Sequence, residues 1–229
     1  KSNKRTKAVV LRINSPGGSA LASELIYQEI ENLKKEKPVV VSMGNVAASG
    51  GYYIACGADQ IFAEPTSVTG SIGVFGVLPL IEDLAERWGV RAEHVTTHPN
   101  AMLYSPMKSL TPAARQEIKG QIKRVYSTFL QRVAAGRGMS VEKVNDIAQG
   151  RVWSGADAVQ VGLVDSLGGL RDAVAYAAKL AETDSYRTRN YPEFSDDLES
   201  FMQSLQSNPL GNTTVGKTIQ QLQTIFSNQ

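Results

Sequence analysis

The chain has 229 residues, 42% hydrophobic and 20% charged, the composition of an ordinary globular protein able to bury a sizeable core in one large domain, or in a compact domain with an appendage. Lys and Arg number 24 against 22 Asp and Glu, and beyond the amino-terminal cluster KSNKRTK the basic residues are scattered, so nucleic acid is set aside as a partner. The single cysteine, Cys56, excludes an internal disulfide and lacks metal-ligand spacing, which leaves it the role of a small buried hydrophobe; no run approaches the roughly 20 apolar residues that span a bilayer, and the chain itself is expected to be soluble.

KSNKRTKAVVLRIN passes almost at once into a buried-type strand over Ala8–Ile13, an abrupt start that suggests a fragment of a longer chain. SPGGSALASELIYQEIENLKKEK then turns into a helix with Leu21, Leu25, Ile26, Ile30 and Leu33 on its apolar face. Pro38 ends the helix, and PVVVSM reads as a second parallel strand, completing a βαβ crossover. AASGGYYIACGA predicts a helix opening at or just before Ser49, with Tyr52 and Tyr53 packed inward, and QIFAEP a short strand. SVTGSIGVFGV predicts a glycine-punctuated strand or turn, whose Ile72–Val77 portion could pair with an extended peptide. PLIEDLAERWG predicts a helix with Leu80, Leu84 and Trp88 on one side, and RAEHVTT another short strand.

LTPAARQEIKGQIKRVYSTFLQRVAAGRG is a long amphipathic helix with Pro112 in its first turn and an apolar stripe of Ile118, Ile122, Val125, Phe129 and Val133. SVEKVNDIAQG, SGADAVQVG and GGLRDAVAYAAKLAE predict three more helices, with the strand-like VDSL between the last two. Trp153 is assigned to fixing the helical subdomain and Asp165 to a cap or salt bridge. The expected domains are 1–183, an α/β domain, and 184–229, a polar, partner-contacting tail in which LESFMQSL and TIQQLQTIF are short amphipathic helices at best.

Two glycine motifs carry the chemistry. NSPGGS, Asn14 to Ser19, falls where a strand ends and a helix begins, which suits either an anion cradle of outward N–H groups or a tight turn needing positive φ. No lysine followed by Ser or Thr comes after the glycines, and the dinucleotide spacing is wrong, so a phosphate loop is disfavoured. AASGG sits at a second strand-to-helix junction, where Ser49 is either a helix N-cap or a nucleophile. A parallel sheet brings such strand ends to one edge, and a serine beside free N–H groups can attack a carbonyl and hold the oxyanion. The two histidines, His94 and His98, do not fall just after the serine motif, whereas a lysine whose pKa burial lowers can serve as base.

NSPGGS, GNVAASGGYYIA, TGSIGVFG and GRVWSGADAVQVGLVDSLGG, in this order, resemble the signal peptide peptidase A (protease IV) family, the S49 serine-lysine peptidases of the ClpP/crotonase superfamily, over Lys7 to about Ala181. The resemblance implies an α/β, ClpP/crotonase-like spiral of ββα units with a helical subdomain. It also implies a membrane-associated serine endopeptidase, at the bacterial inner membrane facing the periplasm or in the thylakoid, degrading cleaved signal peptides as a homo-oligomer without metal or cofactor. By motif position Ser49 is the nucleophile, the Gly18 and Gly50 N–H groups form the oxyanion hole with Gly17 shaping the turn, and Ser71 orients the catalytic lysine. Ala101 stands where short-form members place that lysine. The chain resembles the carboxy-terminal half of the double-length form, in which the amino-terminal half supplies the base, so its own leading strand is expected to be missing and the isolated chain inactive. Three alternatives stay open: a Ser49–Lys108 dyad within this chain, a non-catalytic scaffold half, and an acyl-CoA enzyme of the crotonase type, for which the sequence shows no CoA pocket.

Overall fold

The computed structural model describes residues 5–98 and 100–192. The chain divides into two units, Lys1–Asp184 and Ser185–Gln229. In the second, residues 185–192 form neither helix nor strand, and LESFMQSL and TIQQLQTIF lie outside the described residues.

The first unit begins with β1 (Val9–Ser15), α1 (Ala20–Lys34) and β2 (Val39–Ala48). The β1 and β2 strands are parallel, in register from Val9↔Val39 to Ile13↔Met43, with an irregularity before Ser15↔Ala47. Val39, Val40, Val41 and Met43 are fully buried, as the unbroken VVVSM run demands of a strand covered on both faces. After α2 (Gly50–Ala55) come β3 (Gln60–Ala63), parallel to residues 40–42 of β2, and β4 (Val68–Gly70), parallel to residues 46–48. The long β2 therefore carries two neighbours in succession. The remaining elements are α3 (Glu82–Arg87), α4 (Pro112–Arg137), α5 (Val141–Ile147), β5 (Val152–Ser154), α6 (Gly155–Gln160), β6 (Ser166–Leu167) and α7 (Leu170–Leu180).

This is the α/β architecture the sequence predicts, with helices on both sheet faces. On one face Val41, Met43, Tyr52, Ile61, Phe129 and Val133 form the main core, and on the other Val40 and Phe62 pack against Ala173 and Ala177 of α7. Cys56 is buried as expected, and burial pushes its thiol up to about 12. Tyr52 is buried with its hydroxyl donating to Leu163 O at 2.9 Å. Asp165 is a salt-bridge partner, as expected, pairing with Arg137 and accepting the Ile61 N–H at 2.8 Å. Thr111 caps α4, with Pro112 in its first turn.

Four expectations are corrected. The buried face of α1 is Ser23, Tyr27 and Ile30, while Leu21, Leu25 and Ile26 are 70%, 60% and 45% exposed. The aromatic ring of Tyr27 and the close approach of Ser23 to α2 set the rotation of the helix, which apolar periodicity alone assigns differently. No strand forms over 72–77 or over RAEHVTT, because neither segment has a ladder to join. The predicted PLIEDLAERWG helix shortens to α3, which buries no residue, and Trp88 is 78% exposed. Finally, VWS forms β5, antiparallel to β4 with Thr69↔Trp153, a pairing not foreseen.

Gly136 lets α4 cross α2 closely: a Cβ there would stand 2.0 Å from the Cys56 carbonyl oxygen. Gly136→Ala is therefore expected to destabilise the fold by about 2–3 kcal/mol, despite the ~1 kcal/mol that alanine gains over glycine inside a helix. Urea unfolding checks this, and an unchanged midpoint would show that the crossing relaxes freely.

Candidate active site

The carboxyl ends of β1, β2 and β4 come together at one edge of the sheet, where open α/β folds bind ligands. The β1–α1 turn is held from both sides. Asn14 Oδ1 accepts the Val46 N–H at 3.2 Å, and Ser15 Oγ accepts the Gly17 N–H at 3.1 Å. Ser19 caps α1 by accepting the Ala22 N–H at 3.3 Å.

The turn packs directly on the β2–α2 junction. A Cβ on Gly17, at φ 101°, would lie 2.5 Å from Gly50 N and 2.9 Å from Ser49 Cβ. A Cβ on Gly50 would lie 3.2 Å from Gly18 N and 2.5 Å from Ser23 Oγ. The Gly18 and Gly50 amides are thus brought together, and among the described residues neither donates a hydrogen bond. Neither amide is used by the fold itself among the described residues.

Ser49 occupies the N-cap position of α2, yet its side chain makes no capping hydrogen bond. Its backbone is at φ 52° and ψ −117°, a conformation that costs a non-glycine residue on the order of 1–3 kcal/mol. The N–H donates to Gly70 O at 2.9 Å and the carbonyl accepts the Tyr53 N–H at 2.8 Å, and these contacts hold the strained geometry. Half-buried, the hydroxyl stands at the edge of the sheet without a partner among the described residues.

Ser71 follows β4, whose Gly70 pairs with Ala48, so Ser49 and Ser71 leave neighbouring strand ends. Ser71 also has positive φ, at 47°, and donates its N–H to Arg151 O at 2.7 Å. Trp153 lies closer to this site than a role in the helical subdomain alone implies. A Cβ on Gly70 would meet its ring at 2.7 Å, and its indole N–H donates to Ile147 O at 3.0 Å. It backs the residue that receives the Ser49 N–H.

The candidate bases are elsewhere. His94 and His98 are exposed, within reach of Met107 O and Thr97 Oγ1 respectively. Lys108 is exposed; the nearby Glu82 carboxyl is held below its usual range by hydrogen bonds from Ser109 and by the positive charges around it. Ala101 is exposed in a turn. No lysine or histidine among the described residues is hydrogen-bonded to Ser49 or Ser71. Nor does any group of three or more His, Cys, Asp or Glu among them stand ready to hold a metal ion.

Sequence reasoning passed over a polar cluster behind the junction. Glu24 of α1 receives Arg132 of α4 and Tyr53 of α2, and Ser23 abuts Gly50. A serine and a glutamate inside an amphipathic helix read as surface, so only the α1 rotation reveals them.

Residues 31–184 match the model of peptidase family S49. The chain is 45% identical over 202 residues to Protease 4 of Salmonella typhi, covering 88% of this chain and 32% of that protein. With Protease 4 of Haemophilus influenzae the identity is 44% over 207 residues, covering 88% and 33%. It is 37% over 217 residues with the chloroplastic serine protease SPPA of Arabidopsis thaliana, covering 94% and 32%. The chain thus spans about a third of the length of these relatives. Among solved structures, a ClpP1 point mutant from Listeria monocytogenes aligns with TM-score 0.48 and 19% identity over 74% of this chain and 78% of that one.

Proposed function

The chain belongs to peptidase family S49, and from that premise we propose that it carries the nucleophile of a serine endopeptidase that degrades cleaved signal peptides. The observation that carries this reading is Ser49, strained, uncapped and beside the unpartnered Gly18 and Gly50 amides. A neutral lysine amine takes the Ser49 proton as Oγ bonds to the scissile carbonyl carbon. The carbonyl oxygen, now an anion, is held by the two amides. Collapse of this intermediate breaks the C–N bond, the leaving amine takes the proton, and water activated by the same lysine hydrolyses the ester at Ser49. Ser71, on the adjacent strand end, orients that lysine.

The base is supplied by the amino-terminal half of the full-length protein, since Lys108 is exposed and no hydrogen bond joins it to Ser49 among the described residues. Extended peptides are the substrates, and the working assembly is a membrane-associated homo-oligomer. Among the described residues no helix is long and apolar enough to cross a membrane.

A peptidase assay on this chain alone and on the full-length protein tests the split site. Activity is expected only at full length, and Lys108→Ala is expected to leave it within about twofold, as exposed substitutions away from a site do. Activity in the isolated chain that vanishes with Lys108→Ala would place the base here instead.

A further inference from the structure

Behind the sheet edge, one carboxylate joins the helices that follow the two amide donors. Glu24 Oε1 accepts from Arg132 Nη2 at 2.6 Å and from Gln28 Nε2 at 2.7 Å. Its Oε2 accepts from Arg132 Nε at 3.2 Å and from the Tyr53 hydroxyl at 2.5 Å. The Arg132 guanidinium also lies 5.4 Å over the Tyr27 ring, and Tyr53 packs between Tyr27 and Phe129. Burial alone would raise the Glu24 carboxyl, but the hydrogen bonds from Arg132, Tyr53 and Gln28 outweigh it and hold the group ionised below its usual range.

An oxyanion hole works only if its donors are preplaced to within a fraction of an ångström. Here the donors belong to different segments: Gly18 precedes α1 and Gly50 opens α2, so their spacing depends on how α1 docks on α2. Leu21, Leu25 and Ile26 are largely turned outward from that docking, at 70%, 60% and 45% exposure. On the inward side, Ser23 abuts Gly50 and its hydroxyl donates to Ser19 O at 3.0 Å. Glu24 is the next residue, and its partner Tyr53 donates its own N–H to Ser49 O. The carboxylate therefore grips α2 three residues after Gly50 and α1 six residues after Gly18.

We infer that Glu24, Arg132 and Tyr53 form a positioning clamp that sets the spacing of the Gly18 and Gly50 amides and thereby the rate of acylation at Ser49. The inference rests on the reading of Ser49 as the nucleophile. The Glu24–Arg132 pair is part-buried, with 27% and 35% of the side chains exposed, so breaking it also costs stability, and the clamp is read in the rate lost beyond that cost.

The test uses the full-length protein and measures fluorophosphonate labelling mapped to Ser49, peptide kcat and KM, and the thermal midpoint. Tyr53→Phe and Glu24→Gln are expected to slow labelling and kcat by about 10- to 100-fold with KM changed less than about twofold. Arg132→Lys, which keeps the charge without the fork, is expected to lose less than Glu24→Gln. Asp165→Asn serves as control, since the Arg137–Asp165 pair touches neither α1 nor the Ser49 junction: it should lower the thermal midpoint and leave labelling unchanged. Full labelling rates in folded Tyr53→Phe and Glu24→Gln would overturn the clamp. So would losses that merely track the thermal midpoint as in Asp165→Asn. A wild-type protein that is not labelled at Ser49 would remove the nucleophile reading itself, and the clamp with it, before any variant is compared.

Discussion

Ser49→Ala, made in the full-length protein, is expected to reduce peptide hydrolysis by about 10⁴-fold or more and to abolish fluorophosphonate labelling while the protein stays folded. The hydroxyl is the only group removed, and it serves no capping hydrogen bond, so α2 loses no support. The backbone strain at φ 52° and ψ −117° is unchanged, because alanine and serine both carry the Cβ that makes this conformation costly. Ser49→Gly separates the two effects. It should abolish activity equally and raise stability by about 1 kcal/mol, since glycine adopts this conformation without penalty. Thermal melting beside the peptidase assay reads both results. Undiminished hydrolysis by Ser49→Ala would move the nucleophile elsewhere, and a Ser49→Gly variant no more stable than wild type would mean the junction stores no strain.

Gly17→Ala is expected to lower kcat/KM by about 10²–10³-fold, the range seen when one oxyanion donor is lost. The new methyl would stand 2.5 Å from Gly50 N, 2.9 Å from Ser49 Cβ and 3.0 Å from Ala48 O, so the turn has to retreat from the start of α2. Its φ of 101° adds strain for any side chain. Retreat carries the Gly18 amide away from the Gly50 amide and leaves the oxyanion with a single donor. Gly18→Ala is the comparison, because a Cβ there meets nothing within 4 Å although φ is 152°. It should cost less activity, its penalty being backbone strain without collision. Labelling and peptide kinetics on both variants check the order, and equal losses would show that strain, not displacement, governs the turn.

Much of the architecture was legible because local chemistry and burial agreed. VVVSM is apolar but for Ser42 and is buried on both faces in β2; Pro112 announces the first turn of α4; NSPGGS and AASGG mark the two strand-to-helix junctions that meet at the site. Local chemistry left Ser49 open between a helix N-cap and a nucleophile, and the roles expected of Ser49, Gly18 and Gly50 came from the family resemblance.

Other features depended on which segments face each other, and no local pattern records that. Leu21, Leu25 and Ile26 have the spacing of a core stripe, yet Tyr27 and Ser23 dock α1 on α2 and turn that stripe outward. Ile72–Val77 has strand-forming residues and no strand, because strand propensity becomes a strand only where a ladder accepts it. β5 pairs with β4 across a long stretch of chain, and Trp153 reaches Gly70 only through that pairing. Glu24, Tyr53 and Arg132 look like unrelated polar or aromatic positions until α1, α2 and α4 converge. The sequence by itself determined the glycine turns, the first turn of α4 and the buried central strand, whose causes lie within a few residues. Only the tertiary structure decided the rotation of α1, the pairing of β5 and the junction of Glu24 with its partners, because each rests on contacts between residues far apart in the chain.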